Sequence, residues 1–481
     1  MHAAVADITT HIGPIIADAS NHNFRLRIAR NRPVQHSVPK RKHLRRVLTI
    51  PNPLPYAILC KVVADNWTDI QAAAGSTISL STPVRSDERA VEALFDRSEE
   101  VLIRARRSVG SRFLVKTDLL RYYPSVYTHS IPWAVHGKVA ARADTQNTLY
   151  GNRLDVCVRE SQDKQTGGIP IGPDTSFIIG ELIGSRLDRL LEERLAPTPL
   201  KGTRFIDDYH LYFSSRGDAE RAIAAIHGVA REFELEINDV KTELCEVPEI
   251  FEPEWKTHLR SIQVGSSENA RSMHSLFDYA AEFVQKFPSD SIYTYLAKKM
   301  LDGEVSIETW AESEPLLLRA VLAEPSMLPV LVRLFEIHGV VDLDGLRDTI
   351  ETLCVYHAQL GQGYEVAWAL WLARNTGTTL GDRVGEAVVS VDDDLVALVA
   401  LDMQDQGLLN LPNTDLWNSY MTQAHLTSEH WLLCYEASER SWLTGQTGID
   451  LIGSNEFFSI LRAHTVRFYD TQAHGAVFAG Y

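Results

Sequence analysis

Two aspartate positions, one closing an alternating run and one interrupting another, constrain this chain more than any other feature. Phe113-Leu-Val-Lys-Thr-Asp118 alternates and ends on a carboxylate. Arg204-Phe-Ile-Asp-Asp-Tyr209 sets Asp207 and Asp208 between Phe205-Ile206 and a run in which Tyr209, Leu211 and Phe213 alternate with His210 and Tyr212. Period-two alternation predicts a strand over 113–119 and a hairpin over 203–213, with the acidic pair in its tight turn. Apolar and aromatic flanks predict burial for Asp207-Asp208. The run Asp392-Asp393-Asp394, by contrast, reads as a solvated acidic break between two helical patterns.

Between these stretches lies Gly168-Ile-Pro-Ile-Gly-Pro173, followed by Phe177, Ile178, Leu182, Ile183 and Leu187 at helical spacing. Gly172 allows close backbone approach, and Pro173 suits the first turn of a helix whose amides can hold a phosphate or a base pair. Trp133 to Ala143 also reads as helical, whereas 144–168, polar and containing Gly151 and Gly167-Gly168, reads as a loop-rich insertion. A helix from about Asp218 carries Ile223, Ile226, Val229 and Phe233 on one face, and a strand is expected over Glu234 to Cys245. The resulting β-α-β-β-α-β order is the ferredoxin-like arrangement, which sets the first strand beside the hairpin and so brings Asp118 to Asp207. After Pro248 the chain turns to short amphipathic helical segments separated by Gly, Pro, Asn or Asp. They read as stacked helix pairs or as an irregular helical domain, with no strict repeat period.

Three carboxylates meeting at the end of a sheet suit hard divalent cations. Magnesium takes oxygen ligands and keeps several waters, so two or three aspartates suffice for a pair of ions. Such a pair serves phosphoryl and nucleotidyl transfer, one ion acting on the attacking hydroxyl and one on the leaving pyrophosphate. The expected catalytic and metal-binding set is Asp118, Asp207 and Asp208.

Asp118-Leu-Leu-Arg-Tyr-Tyr123-Pro-Ser resembles motif A of the reverse transcriptases of bacterial retrons and group II introns. Gly168 to Ser176 resembles their motif B, Phe205-Ile-Asp-Asp208 their motif C, and Leu235-Glu-Ile-Asn-Asp-Val-Lys-Thr-Glu243 their motif D. The match covers about half the chain. Ile-Pro-Asn-Pro near Pro51, Tyr127-Thr-His-Ser-Ile-Pro-Trp133 and the helical C-terminal half narrow the resemblance to the abortive-infection and defence-associated reverse transcriptases of bacteria. Two departures stand out. Ile171 occupies the place of a usual Gln in motif B, and Phe205 that of a usual Tyr in motif C. Both affect contacts to template or primer and leave the metal ligands in place.

The resemblance implies further roles. Tyr123 would stack beneath the incoming sugar and exclude a 2′-hydroxyl, making the product DNA; from the sequence alone Tyr122 is an equal candidate. Lys241 would protonate the departing pyrophosphate, or be a solvated lysine after a strand. Gly172 and Pro173 would contact the nucleotide, as would Arg45 or Arg46, which lead into Val47-Leu-Thr-Ile50. The cofactor is Mg2+, two ions, with Mn2+ as the alternative. The resemblance implies deoxynucleoside triphosphates as substrates and homo-oligomeric assembly, and members of the group can attach the DNA product through a tyrosine of the protein or take a noncoding RNA as partner. The priming tyrosine would lie among Tyr279, Tyr293, Tyr295, Tyr356, Tyr364, Tyr420, Tyr435, Tyr469 and Tyr481.

The net charge of −16 suits a nucleic-acid enzyme only once divided along the chain. Residues 251–481 hold 14 Lys and Arg against 32 Asp and Glu, whereas residues 1–250 hold 33 against 31. Within the first 62 residues there are 10 basic and 2 acidic side chains, concentrated in Arg25 to Arg32 and Lys40 to Arg46. A basic cluster of this kind is the footprint of phosphate binding and also describes a solvated arm. The acidic half would repel duplex phosphate. Five scattered cysteines point away from a disulfide or zinc framework and towards a reducing cytosol. No membrane-spanning run or secretory leader is expected, so the sequence reads as that of a cytoplasmic bacterial protein.

The expected fold is α+β: reverse-transcriptase fingers over 1–110, a ferredoxin-like palm over 111–250, and an all-α HEAT-like domain replacing a thumb over 251–481. The expected function is a reverse-transcriptase-type DNA polymerase of anti-phage defence, protein-primed and able to work without a template. The competing readings are a templated enzyme of a retron-like or CRISPR-associated system, and a non-catalytic helical scaffold with a relic palm.

Overall fold

Leu114, Val115, Leu211 and Phe213 are all buried, and around them the two alternating runs pair as the centre of a sheet. The computed structural model describes Gly13 and residues 31–41, 44–86, 90–262, 270–303, 305–445 and 449–473. The chain divides into two compact units, residues 1–33 with 49–251 and residues 34–48 with 252–481. Strands β1 (Val34–Arg41) and β2 (Leu44–Ile50) form a two-stranded sheet, and β3 (Pro83–Val84) pairs antiparallel with β4 (Glu92–Ala93).

In the first unit, β5 (Phe113–Asp118), β6 (Lys201–Phe205), β7 (Asp208–Phe213) and β8 (Glu243–Glu246) form an antiparallel sheet in the order β6-β7-β5-β8. Helices Asp174–Leu195 and Arg216–Glu232 occupy the two crossovers and pack against each other. This is the β-α-β-β-α-β topology with the first and third strands central. One core joins Val115 and Leu211 of the sheet to Ile178, Leu182, Ile226 and Val229 of the two helices.

Four expectations change. The loop-rich insertion expected over 144–168 contains the helix Tyr150–Glu160, with Leu154, Val156 and Cys157 buried. Its polar residues disguised it: Asn152 and Asp155 are buried too, bonded to Ala141 and Asp144 carbonyls and to His129 and Arg159. The strand expected over 234–245 is confined to Glu243–Glu246. Ahead of it, Ile237 makes only a single bridge to Leu119, and Asp239–Lys241 is a 3-10 turn.

The third change is in the second unit. Asp393 caps the helix Asp394–Asp405 through the Leu395 and Val396 amides and meets buried His36 at 2.8 Å, while Asp394 is 2% exposed and holds His430 and the Leu433 amide. Asp393 and Asp394 of the acidic run expected in solvent are therefore buried, because their carboxylates find partners remote in sequence, while Asp392 is exposed as expected. The helices of this unit stack alternately: Ala270–Lys286 on Ile307–Ala323, Ile307–Ala323 on Leu343–Gln359, and Leu328–His338 on Gly363–Thr376. The β1-β2 segment 34–48, expected with the N-terminal region, packs with these helices instead. Arg25 to Arg30 of the basic cluster lie outside the described residues. No described helix is long and apolar enough to cross a membrane.

Candidate active site

The register of β5 against β7 sets Asp118 directly opposite Asp208, and Asp207 occupies the turn between β6 and β7. Phe205 pairs with Asp208, so the turn has two residues, Ile206 and Asp207. Ile206 adopts φ 59°, a left-handed conformation that costs a β-branched residue on the order of 1–3 kcal/mol. Two bonds hold it there. Its amide donates to Ser81 Oγ at 2.8 Å, and its carbonyl accepts from Arg204 Nη1 at 2.9 Å. Arg204 is itself fully buried, with Nε on Asp188 at 3.0 Å and Nη1 on Glu181 at 2.7 Å, both carboxylates belonging to helix Asp174–Leu195. The turn carrying Asp207 is thus tied through a buried ion network to the crossover helix.

Asp118 is 6% exposed, and its backbone carbonyl accepts the Asn238 amide at 2.9 Å. Lys241, in the 3-10 turn Asp239–Lys241, donates to Asp118 Oδ2, whereas Asp118 Oδ1 is buried with no hydrogen-bond partner. Asp208 is more open, its side chain 44% exposed, with Arg97 Nη2 3.8 Å away. The pair expected to be buried is therefore of intermediate exposure at both members, and Asp118 is the buried aspartate.

Burial first, and then the charges of Asp208 and Asp118, push the Asp207 carboxyl up to about 6, with Lys241 acting in the opposite direction. The folded state thus holds a proton that the unfolded chain has released. Stability contributed by that proton is complete below about pH 4 and is lost as pH rises to about 6. Without metal, Asp207→Asn is expected to raise stability at neutral pH by up to about 3 kcal/mol and to flatten this slope. Denaturant midpoints at about pH 4.5 and about pH 7.5 provide the check; equal midpoint differences at the two pH values would refute the assignment.

The donor set suits a hard divalent cation: carboxylates only, one with a buried oxygen lacking a partner. As the side chains stand, no three His, Cys, Asp or Glu groups among the described residues converge closely enough to hold a metal ion. The ammonium of Lys241 engages Asp118 Oδ2 and leaves Oδ1 without a partner.

The other expected residues fall as follows. Tyr122 is buried and its hydroxyl donates to the Gly180 carbonyl at 2.7 Å, whereas Tyr123 is half-buried with its ring against Gly180. A Cβ at residue 180 would lie 3.0 Å from Tyr123 Cε1. Gly172 has φ 128°, and a Cβ there would lie 3.4 Å from the Thr49 carbonyl oxygen. Thr49 also donates its amide to the Ile171 carbonyl, and Pro173 precedes helix Asp174–Leu195. Arg45 is engaged elsewhere, in a two-pronged pair with Glu365 at 2.8 and 2.7 Å within the second unit, while Arg46 is exposed. The turn anchor Arg204 was missed as a positioning residue. Its signal was an Arg directly before apolar Phe205-Ile206, preceded in the chain by a helix carrying Glu181 and Asp188.

No protein-family model matches the chain, and no curated protein matches its sequence. Among solved structures, one similar chain belongs to the telomerase from Candida albicans in complex with the TWJ fragment of telomeric RNA. The two are 13% identical with a TM-score of 0.31, over 70% of this chain and 64% of that one. A likeness at that level carries no argument about function, and the chain spans less than two thirds of the structure it matches.

Proposed function

We propose that this chain is a nucleotidyltransferase, a DNA polymerase of reverse-transcriptase type acting in bacterial anti-phage defence. The observation that carries the reading is the pairing of Asp118 with Asp208 on the central strands of a ferredoxin-like sheet, with Asp207 in the adjoining turn. When bound, Mg2+ or Mn2+ would supply positive charge to an attacking hydroxyl and a departing pyrophosphate. The protein's own part is to carry Asp118, Asp207 and Asp208 at one end of the sheet and to keep Lys241, a proton carrier, beside Asp118. Tyr122 is buried with its hydroxyl on the Gly180 carbonyl, whereas Tyr123 is half-buried, which favours Tyr123 as the ring that faces a sugar. Tyr123→Ala is expected to admit ribonucleotides, raising their incorporation relative to deoxyribonucleotides by about 10–100-fold, a gain of about 1.4–2.7 kcal/mol. Competition between the two nucleotide pools measures it, and an unchanged ratio would remove Tyr123 from this role.

The defence setting, protein priming and an RNA partner rest on the resemblance of the motifs. The alternately stacked helices of the second unit support a HEAT-like reading. Among the tyrosines available for priming, Tyr435 is fully buried, and the hydroxyls of Tyr420 and Tyr469 are bonded to Asp392 and Asp402. Tyr279 and Tyr356 are the exposed ones, at 43% and 59%; Tyr481 lies outside the described residues. The test is incubation with Mg2+ and labelled deoxynucleotides, with and without nuclease pretreatment and added template, followed by gels before and after protease. Label that needs no template and stays with the protein until proteolysis supports protein priming. Product made only from added RNA favours a templated enzyme, and no incorporation under any condition overturns the polymerase reading.

A further inference from the structure

Arg97 belongs to none of the sequence motifs, yet it reaches the end of the sheet where the three aspartates stand. Its Nη2 lies 3.8 Å from Asp208 Oδ2, and its guanidinium carbon lies 4.9 Å from the centroid of the Phe205 ring. Phe205 and Asp208 face each other in the register of β6 against β7. One cation thus meets the ring of one partner and the charge of the other.

The backbone that carries Arg97 is fixed. Asp96 and Glu99 form a capping box, in which Asp96 Oδ1 accepts the Ser98 amide at 2.7 Å and Glu99 Oε1 accepts the Asp96 amide at 3.3 Å. The 3-10 turn Arg97–Glu99 leads directly into helix Glu100–Ser108, which packs against β6 and β7. From that helix Arg104 donates to the Tyr212 hydroxyl at 3.4 Å and to Glu249 at 3.1 Å, and Arg107 donates to the Gly202 carbonyl at 2.6 Å. Arg97 is therefore mounted on the same two strands that carry Phe205 and Asp208.

Its side chain is held more lightly. It is 59% exposed, and neither the 3.8 Å approach to Asp208 nor the 3.9 Å approach of Nε to Glu100 is a hydrogen bond. The face of an aromatic ring attracts a guanidinium without using its N–H donors. Attraction between an exposed guanidinium and carboxylate is weak in water, and a divalent charge at the same carboxylate outcompetes it. Two further carboxylates crowd Asp208, with Asp118 opposite it and Asp207 before it in the chain. Arg97 opposes their repulsion.

We propose that Arg97 is a positioning residue: perched on Phe205, it is the resident counter-cation of Asp208 and yields that carboxylate to a divalent cation. The role presupposes the proposed polymerase site, with Asp208 as a metal ligand. Its consequence is a trade, in which the guanidinium compensates the carboxylate while no ion is bound and lowers the affinity for the ion.

The test is equilibrium binding of Mn2+ to the full-length protein without nucleotide, followed by the electron paramagnetic resonance signal of the free ion. Arg97→Gln is expected to tighten binding by about three- to tenfold, whereas Arg97→Lys, which keeps the charge, should stay within about twofold of the unaltered protein. A merely structural role predicts the opposite sign, because a loosened hairpin end binds the ion less well. Asp208→Asn should weaken binding, and adding Arg97→Gln to it should bring no further gain. Equal or weaker binding by Arg97→Gln would overturn the proposal and leave Asp208 as a metal ligand, as would a gain that persists beside Asp208→Asn. No uptake of Mn2+ by the unaltered protein, or uptake indifferent to Asp208→Asn, would overturn the metal-site reading and the proposal with it.

Discussion

Asp118→Asn is expected to reduce magnesium-dependent nucleotide incorporation by on the order of 10³-fold or more while the fold survives. Asparagine preserves the shape of the side chain and the register of β5 against β7, but removes the charge from the carboxylate that has one buried oxygen without a partner. A cation at such a site contributes several kcal/mol of charge stabilisation, and each 1.36 kcal/mol is a factor of ten in rate. The structural cost is small. Lys241 is 53% exposed, and losing its pair with Asp118 amounts to no more than about 1 kcal/mol after solvent screening. Incorporation of labelled deoxynucleotides and the thermal midpoint are measured on the same preparations. A variant that keeps the midpoint and a tenth or more of the activity would show that Asp118 is not a ligand of a catalytic metal.

The largest effect on stability is expected from Arg204→Met. Arg204, Glu181 and Asp188 have side-chain exposures of 0%, 1% and 1%, and Ser76, Ser79 and Ser81 donate to the same carboxylates at 2.5–2.8 Å. Methionine fills much of the volume but leaves two buried carboxylates without their counter-charge, at a cost of about 3–5 kcal/mol. It also removes the donor to the Ile206 carbonyl, so the strained turn carrying Asp207 loses one of its two anchors. Hydrogen exchange over helix Asp174–Leu195 and the denaturant midpoint of the transition that unfolds it are the measurements. Adding Glu181→Gln and Asp188→Asn to the methionine variant should recover part of the loss, because neutral amides no longer need a cation. A loss below about 1 kcal/mol would show that the network is not the anchor.

Where a feature depended on residues close in sequence, the sequence was a sufficient guide. The alternation of Leu114, Val115, Leu211 and Phe213, the helical stripe after Pro173 and the acidic pair at a hairpin turn all follow from period and turn chemistry, which act over a few residues. The helix Tyr150–Glu160 escaped this reading because its buried Asn152 and Asp155 look like surface residues until their partners are known. Arg45 and Arg46 are adjacent and alike in sequence, yet one pairs with Glu365 and the other is exposed. Tyr122 and Tyr123 were likewise interchangeable until the Gly180 carbonyl took the hydroxyl of the first. The acidic run at 392–394 differs from Asp207-Asp208 opposite to expectation: Asp394 is 2% exposed, whereas the Asp208 side chain is 44% exposed. Sequence by itself determined the first strand, the hairpin, the crossover helices and which carboxylates stand at the end of the sheet, but not the bounds of the last strand. Tertiary structure alone decided which polar groups are buried, because a charge leaves water only where a partner waits, and the partners of Arg45 and Asp393 lie 320 and 357 residues away.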